Sequence, residues 1–187
     1  MYWVIKLKLA EKNIAYDFVL SDLEALYEWA KELEGKEPPV GSAISDILYL
    51  QTAAIHILIL SQFEYLLKSL GRIKDQWEIA NIIRDSSVLS QLEKDHLTYL
   101  FLTRHTLAHN GGHFDEKFFQ EAKSKIKELK LEMPKDEKHL SAINPDFLRR
   151  YIKLIKKMIL LDIAGNVLSQ DEKNELLQDE KKINSFF

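Results

Sequence analysis

The amino-acid sequence predicts an all-α protein built as an up-and-down four-helix bundle. The chain has 187 residues but only six Gly and four Pro, and an all-β chain of this length would need a turn signal about every ten residues. Hydrophobic residues make up 46% of the chain and charged residues 29%, which is typical of a globular protein. The length suits one domain with small appendages better than two separate cores.

The first forty residues predict an extension that packs on this bundle. Residues 1–9 alternate weakly between apolar and polar side chains, so they predict either a lone strand or the start of a helix. Ser21–Glu24 has the spacing of a capping box, which predicts a helix from there to Gly35. Residues 36–41 include two prolines and predict a connector. We therefore assign residues 1–41 to an N-terminal extension.

The next element is predicted to be the central helix of the fold. Ser42 or Ser45 is expected to cap it, and Gly71 is expected to end it just after Leu70. Its apolar residues surround almost the whole helix, which predicts burial. The uncharged run from 47 to 63 contains several polar residues and falls short of a membrane span in length and apolarity.

Two more helices are predicted before a glycine pair interrupts the chain. Asp75 is expected to cap a short helix that extends to about Arg84. Ser90–Glu93 is a second capping box, and the helix that it opens must end by Asn110–Gly112.

The last third of the chain predicts helices of different character. Residues 115–132 are very hydrophilic and predict an exposed helix, followed by a loop. Asn144–Pro145 predicts a strong helix start, and that helix is expected to end at Gly165. Ser169–Glu172 predicts a weaker final helix. We assign residues 42–165 to the bundle and 166–187 to a C-terminal helix and tail.

Composition excludes several classes of function. The chain has no Cys, which excludes a disulfide scaffold, a thiol nucleophile and any Cys-ligated metal. Its start has charges within a short apolar run and no small-residue cleavage pattern, so it does not predict a secretion signal. We expect a cytoplasmic protein. A net charge of −3 argues against a nucleic-acid-binding surface over the whole chain.

Arg104 stands out because it lies on the apolar face of its predicted helix. The same face carries Leu97, Leu100, Phe101 and Ala108. A charge in that position is costly unless a partner neutralises it or a cleft opens beside it. One interpretation is a structural ion pair, for which Glu64 on the central helix is a plausible partner. The other is a functional site.

His105 and His109 are four residues apart, which is a spacing found in metal sites. Zinc peptidases of the His-Glu-x-x-His type have a glutamate directly after the first histidine, and Thr106 occupies that position here. Two histidines alone are a weak signal for a metal. The sequence therefore predicts neither a metal nor another cofactor.

The segment 104–112 resembles the motif of the HEPN superfamily (higher eukaryotes and prokaryotes nucleotide-binding domain). That motif is Arg, a polar residue, three to five further residues and then His, and Arg104, His105 and His109 match its shortest form. Ala108–Gly111 is similar to the small-His-polar-Gly ending of many members. The apolar segment 53–67 resembles the first bundle helix of the family. The resemblance covers about residues 42–164.

The resemblance implies a metal-independent endoribonuclease that works as a homodimer, with two copies of the motif in one cleft. Such proteins include toxins, antiphage defence effectors and RNA-processing factors, so it implies an RNA substrate and a possible antitoxin or other protein partner. His109 would be the general acid or base, Arg104 would bind the phosphate and His105 would assist. Glu64 and Asn110 would have supporting roles. The alternative is a non-catalytic HEPN-like module for dimerisation, ligand binding or partner assembly.

Ideal helix geometry places a condition on this site. Arg104 and His109 lie about 140° apart around a helix and about 7.5 Å apart along it. They converge only if the helix ends near His109 or if a second subunit brings its own copy. The spacing favours a composite site in a dimer.

A basic arc on the helix after Pro145 is a candidate RNA-backbone site. It has no acidic residue and lies opposite the apolar stripe of that helix. Its members are Arg149, Arg150, Lys153, Lys156 and Lys157. A solvated outer face is the simpler interpretation, and a track for RNA phosphates is the other.

The remaining aromatic and histidine residues are interpreted as structural. Trp3, Trp29 and Trp77 are expected to be partly buried anchors rather than base-stacking surfaces. His56 lies in an apolar run and is expected to be a core histidine.

Overall fold

The computed structural model describes residues 2–33, 36, 43–109, 120–121, 123–124 and 145–176, with the backbone alone for 43–47, 109, 145 and 146. This part of the chain is all-α and contains no strand, as predicted. The helices are α1 (Tyr2–Lys12), α2 (Ala15–Leu33), α3 (Ala43–Ser69), α4 (Glu78–Asp85), α5 (Gln91–His109) and α6 (Pro145–Lys157). A π-helical turn, Met158–Ile163, continues α6, and residues 170–176 are helical.

The N-terminal residues form a helix rather than a lone strand, and the capping box predicted at Ser21–Glu24 is wrong. Helix α2 already begins at Ala15, whose N–H donates to Asn13 Oδ1 at 2.9 Å. Ser21 and Glu24 therefore lie in the middle of α2. Their side chains hold the buried Lys6 ammonium, at 2.8 Å from Ser21 Oγ and 3.4 Å from Glu24 Oε2. A spacing that satisfies a helix start serves here to pair a buried lysine.

Helix α3 is the central helix, as its apolar circumference predicts. It packs against α2, α5 and α6. Gly71 ends it in the left-handed conformation with φ of 65°, where glycine avoids the strain of a Cβ. The Arg72 N–H donates to Leu67 O at 2.9 Å, which satisfies a carbonyl at the helix end. The predicted caps at Ser42 and Ser45 lie outside the described side chains.

The segment Leu48–Ser69 of α3 is long and apolar enough, by length and composition alone, to cross a membrane. The sequence-based prediction considers only the uncharged run 47–63, which is too short to span a membrane, whereas this longer segment meets both criteria. Half of its most apolar window is buried inside the fold, and core helices of soluble proteins have the same property. Its contacts with three neighbouring helices favour that second explanation.

The capping box at Ser90–Glu93 is confirmed at the start of α5. The Ser90 N–H donates to Glu93 Oε2 at 2.7 Å, and the Glu93 N–H donates to Ser90 Oγ at 3.3 Å. The predicted cap at Asp75 is wrong, because α4 begins only at Glu78 and follows Trp77 without a side-chain cap. Asp75 instead accepts from the backbone N–H of Trp77 at 2.9 Å in the turn before the helix.

Helix α6 and the π-helical turn that follows it together reach Ile163, close to the predicted end at Gly165. The sequence does not predict the change to a π-helical turn. The Ala164 N–H donates to Ile159 O at 2.8 Å, five residues back, as in a π-helix. Asp162 in this turn accepts from the hydroxyls of Ser86 and Ser87. The turn therefore joins α6 to the loop before α5.

The predicted final capping box at Ser169–Glu172 is confirmed, and it ties the C-terminal helix to the N-terminus. The Ser169 N–H donates to Glu172 Oε2 at 2.7 Å, and the Glu172 N–H donates to Ser169 Oγ at 3.3 Å. Both carboxylate oxygens of Glu172 also accept from Lys8 Nζ at 2.8 Å.

Other predictions fall largely outside the described residues. These are the connector, the hydrophilic segment and the tail beyond 176. Within the hydrophilic segment, residues 120–121 and 123–124 are helical and exposed. The assigned domain boundaries stay predictions, although one apolar cluster contains residues from Ile5 to Leu176.

Two buried histidines lie against Tyr151 of α6. The ring of His56 is 5.9 Å from that of Tyr151 and the ring of His96 is 6.2 Å from it, both edge-on. His56 Nε2 is 3.2 Å from Leu100 O and also contacts Thr103 Oγ1. Burial lowers the pKa of His56 to about 4. Burial also lowers the pKa of His96 to about 4, with a further contribution from Arg150. His56 is the core histidine that the sequence predicts.

We expect the protein to lose stability as the pH falls below about 6.5. Both histidines are harder to protonate folded than unfolded, so the unfolded state binds more protons in this range. The free energy of unfolding should fall by up to about 1.4 kcal/mol per pH unit for each histidine, and this loss should level off below about pH 4. Urea unfolding between pH 7.5 and 4 measures it. His56→Gln keeps a donor for Leu100 and should show a shallower slope, whereas an unchanged slope contradicts the assignment.

Candidate functional site

Arg104 lies near the C-terminal end of α5 and binds two other parts of the fold. Its Nη2 is 3.2 Å from Glu64 Oε2 on α3, and its Nη1 donates to Gln76 Oε1 just before α4. The side chains of Arg104 and Glu64 are only 13% and 15% exposed. This is the ion pair that the apolar setting of Arg104 predicts, and it connects α5 with α3 and with the turn before α4.

Glu64 is shared between two cations. Its Oε1 accepts from Lys68 Nζ at 2.7 Å, while its Oε2 faces Arg104. The lysine side chain is half-exposed. One carboxylate and two cations leave one net positive charge in this cluster of three residues.

His105 and Trp77 are in ring contact beside the ion pair. Their ring centroids are 4.9 Å apart, and Phe101 also contacts the indole edge-on, at 5.8 Å between centroids. The Trp77 side chain remains 45% exposed, so it is less of a buried anchor than we expect from the sequence. The sequence does not place Gln76 and Trp77 at this site, because neither residue belongs to a motif. Their one signal in the sequence is their position directly after Asp75, at the expected start of a helix.

For the motif residue His109 the structure describes the backbone alone, and Asn110 lies outside the described residues. Helix α5 keeps its helical backbone through His109. The two motif positions Arg104 and His109 therefore stay about 140° apart around one helix. The helix does not unwind between them.

Two lysines of the basic arc face other helices instead of forming part of a continuous solvated surface. Lys156 Nζ is 3.5 Å from Glu24 Oε1 and Lys157 Nζ is 2.9 Å from Glu93 Oε1. Their side chains are only 16% and 17% exposed. The expectation of an outward-facing arc is corrected at these two positions, because α6 packs against α2 and α5 as well as α3.

The other members of the arc differ among themselves. Arg149 donates to Tyr27 Oη at 3.3 Å and its guanidinium lies over the Tyr27 ring at 5.4 Å. Lys153 is partly exposed and Arg150 is exposed. Within the arc, Arg150 is the residue most open to a ligand.

In the described part of the chain, no group of three or more His, Cys, Asp or Glu side chains is arranged to hold a metal ion. Arg104 supplies a fixed positive charge, and His105 supplies an imidazole next to an exposed aromatic ring. These are groups that hold an anion and move a proton.

We expect Arg104→Ala to lower the free energy of unfolding by about 1–3 kcal/mol, because it leaves Glu64 in a poorly solvated position without this partner. A double-mutant cycle with Glu64→Gln, followed by urea unfolding, should give a favourable coupling energy. Arg84→Ala is the matched control, because the Arg84–Asp85 pair is exposed and should change stability by less than about 0.5 kcal/mol. Additive effects of the Arg104 and Glu64 changes would contradict a stabilising pair.

Comparison with known proteins does not assign the chain to a family. No family model matches it, and no curated protein and no solved structure matches it significantly.

Proposed function

We propose that the protein is a metal-independent endoribonuclease of the HEPN type that acts as a homodimer. The observation that carries the proposal is the placement of Arg104 and His105 on the last turns of α5, next to an exposed tryptophan. We name the HEPN family because Arg104, His105 and His109 resemble its motif. The proposed fold is a HEPN-like four-helix bundle over residues 42–165, in which α3, α5 and α6 are three of the helices.

The proposed chemistry uses the RNA's own nucleophile. The 2′-oxygen attacks the adjacent phosphorus while a histidine removes its proton, and the bond to the 5′-oxygen breaks as that oxygen gains a proton. The products are a 2′,3′-cyclic phosphate and a 5′-hydroxyl. Histidine suits this role because its ordinary pKa is near neutral. We assign the general acid or base to His109, the assisting role to His105 and phosphate binding to Arg104.

The charge around Arg104 supports an anionic ligand. The cluster of Arg104, Glu64 and Lys68 has one net positive charge, and its hydrogen bonds fix the guanidinium before any ligand arrives. A preorganised cation stabilises charge on phosphate oxygens without first having to reorganise. Glu64 thus acts as a positioning residue, and we expect Asn110 to support the end of α5.

A dimer completes the site in this proposal. Because Arg104 and His109 lie about 140° apart on one helix, a second copy has to bring its own motif into the same cleft. We place the protein in the cytoplasm, in a toxin–antitoxin or antiphage defence role. In that setting an antitoxin or another protein partner would control it.

One observation favours the alternative of a non-catalytic HEPN-like module. Arg104 is largely buried, and two side chains of its own chain already bind its guanidinium. An arginine in this position stabilises the bundle even where no substrate binds. The module would then serve dimerisation, ligand binding or assembly with a partner.

We expect the wild-type protein to cleave mixed RNA in EDTA and to leave 2′,3′-cyclic phosphate ends. His109→Ala should lower the cleavage rate by about 100-fold or more, because general acid–base catalysis contributes about that much. His139→Ala is the matched control, because His139 lies outside the motif, and it should cleave like wild type. Gel analysis and end-group mapping of the products measure these outcomes.

Two results would contradict this function. Equal inactivity of the wild type and His109→Ala would remove the catalytic assignment and leave the non-catalytic module. A persistent monomer in sedimentation at micromolar concentration would remove the composite site.

The salt dependence of RNA binding should separate the members of the basic arc. Arg150→Gln should lower the slope of log affinity against log salt by about one, because one phosphate contact is lost. Lys157→Gln should leave the slope almost unchanged, because Glu93 already binds that lysine. Binding that is insensitive to salt would exclude the arc from the RNA site.

A further inference from the structure

Two neighbouring residues before α4 contact two neighbouring residues of α5. Gln76 binds Arg104, and Trp77 contacts His105. The partly exposed indole therefore contacts the histidine that we assign to RNA cleavage, and the residue before it binds the arginine. Nearly half of the Trp77 side chain is open to solvent, although indole is among the largest apolar surfaces that a protein can bury.

We propose that Trp77 is a base-stacking residue of this site. This inference rests on the proposed ribonuclease function and adds a substrate-binding residue to it. The solvent-exposed part of the indole receives the base of a nucleotide whose phosphate lies at Arg104. Stacking on an aromatic side chain tolerates different bases, because every base has a π-face.

The main chain at Trp77 and the ring itself are each held before any ligand binds. The backbone N–H of Trp77 donates to Asp75 Oδ1 at 2.9 Å, which fixes the main chain from which the indole projects. Glu78 accepts from the N–H groups of Lys74 and Asp75 at 2.8 Å and 3.2 Å. Phe101 contacts the ring edge-on. A side chain fixed in this way loses little conformational freedom when a base stacks on it.

The geometry selects unpaired RNA over duplex RNA. In a duplex, both faces of each base are covered by neighbouring bases, so a base reaches an indole only if it is unstacked. Proteins that recognise RNA by stacking accordingly use single strands, loops and bulges. His105, whose ring contacts the indole, directly follows Arg104 in α5. A base on the indole and its phosphate at Arg104 therefore contact neighbouring parts of the site.

Binding can be measured separately from cleavage. The probe is a fluorescent 2′-O-methyl RNA oligomer, which lacks the attacking hydroxyl and therefore cannot be cut. Trp77→Leu should weaken its binding about tenfold, the usual effect of losing one stacked base. Trp77→Phe should retain most of the affinity. Trp3→Leu is the matched control, because Trp3 is a 66% exposed tryptophan on α1 and should not change the affinity.

A second measurement leaves Trp77 unchanged. In a variant with Trp3→Phe and Trp29→Phe, Trp77 is the one remaining tryptophan. The single-stranded oligomer should quench its fluorescence, and an oligomer with abasic positions or a duplex of the same sequence should quench it much less.

The outcomes distinguish this inference from the function on which it rests. If the wild type cleaves RNA but Trp77→Leu binds the probe as tightly and the oligomer does not quench Trp77, the stacking role is wrong and the ribonuclease stands. If binding depends on Trp77 but no RNA is cleaved, the stacking site stands and the catalytic proposal is wrong. If the wild type does not bind the probe, the stacking inference is overturned.

Discussion

The apolar character of α3 is the constraint on which the rest of the structure depends. No residue with a charged side chain occurs between Ile47 and Phe63, so exposing most sides of this helix to water would be unfavourable. Helices α2, α5 and α6 all pack on it. The polar groups within the run must then find partners inside the protein. Thr52 Oγ donates to Leu48 O at 2.7 Å, and His56 lies against Leu100 and Thr103 of α5. The position of α5 follows from these requirements, and with it the position of the motif.

Much of the fold could be predicted because its helix ends are determined locally. The capping boxes at Ser90 and Ser169 satisfy N–H groups that any helix start leaves free, and both occur where predicted. The box at Ser21 fails because tertiary structure uses the same side chains differently. Lys6 is buried, and its ammonium group binds Ser21 and Glu24. A buried ammonium without partners would be costly, whereas α2 starts earlier, at Ala15, with Asn13 as the acceptor. Nothing in the local sequence indicates that Lys6 would be buried, and nothing indicates the π-helical turn after α6.

The candidate site was predictable in its charges and less so in its surroundings. An arginine on an apolar face requires a partner, and the first acidic residue after the apolar run of α3 is Glu64. That reasoning gives the pair without a structure. Gln76 and Trp77 reach Arg104 and His105 only through the turn after Gly71, whose direction depends on packing between α4 and α5. The basic arc shows the opposite limitation, because helix periodicity places Lys157 on the polar side but does not reveal that Glu93 of a neighbouring helix binds it.

Arg104 can be buried in an ion pair and still be suited to bind a phosphate, because Glu64 is shared between Arg104 and Lys68. A carboxylate that neutralised a single arginine would leave the pair with no net charge to attract an anion. Glu64 instead divides its two oxygens between Arg104 and Lys68, so the three groups together remain cationic. An incoming phosphate does not have to displace Glu64 to be attracted, and the half-exposed Lys68 can turn towards it at small cost. The ion pair that stabilises the junction of α3 and α5 thus also orients a positive charge beside His105.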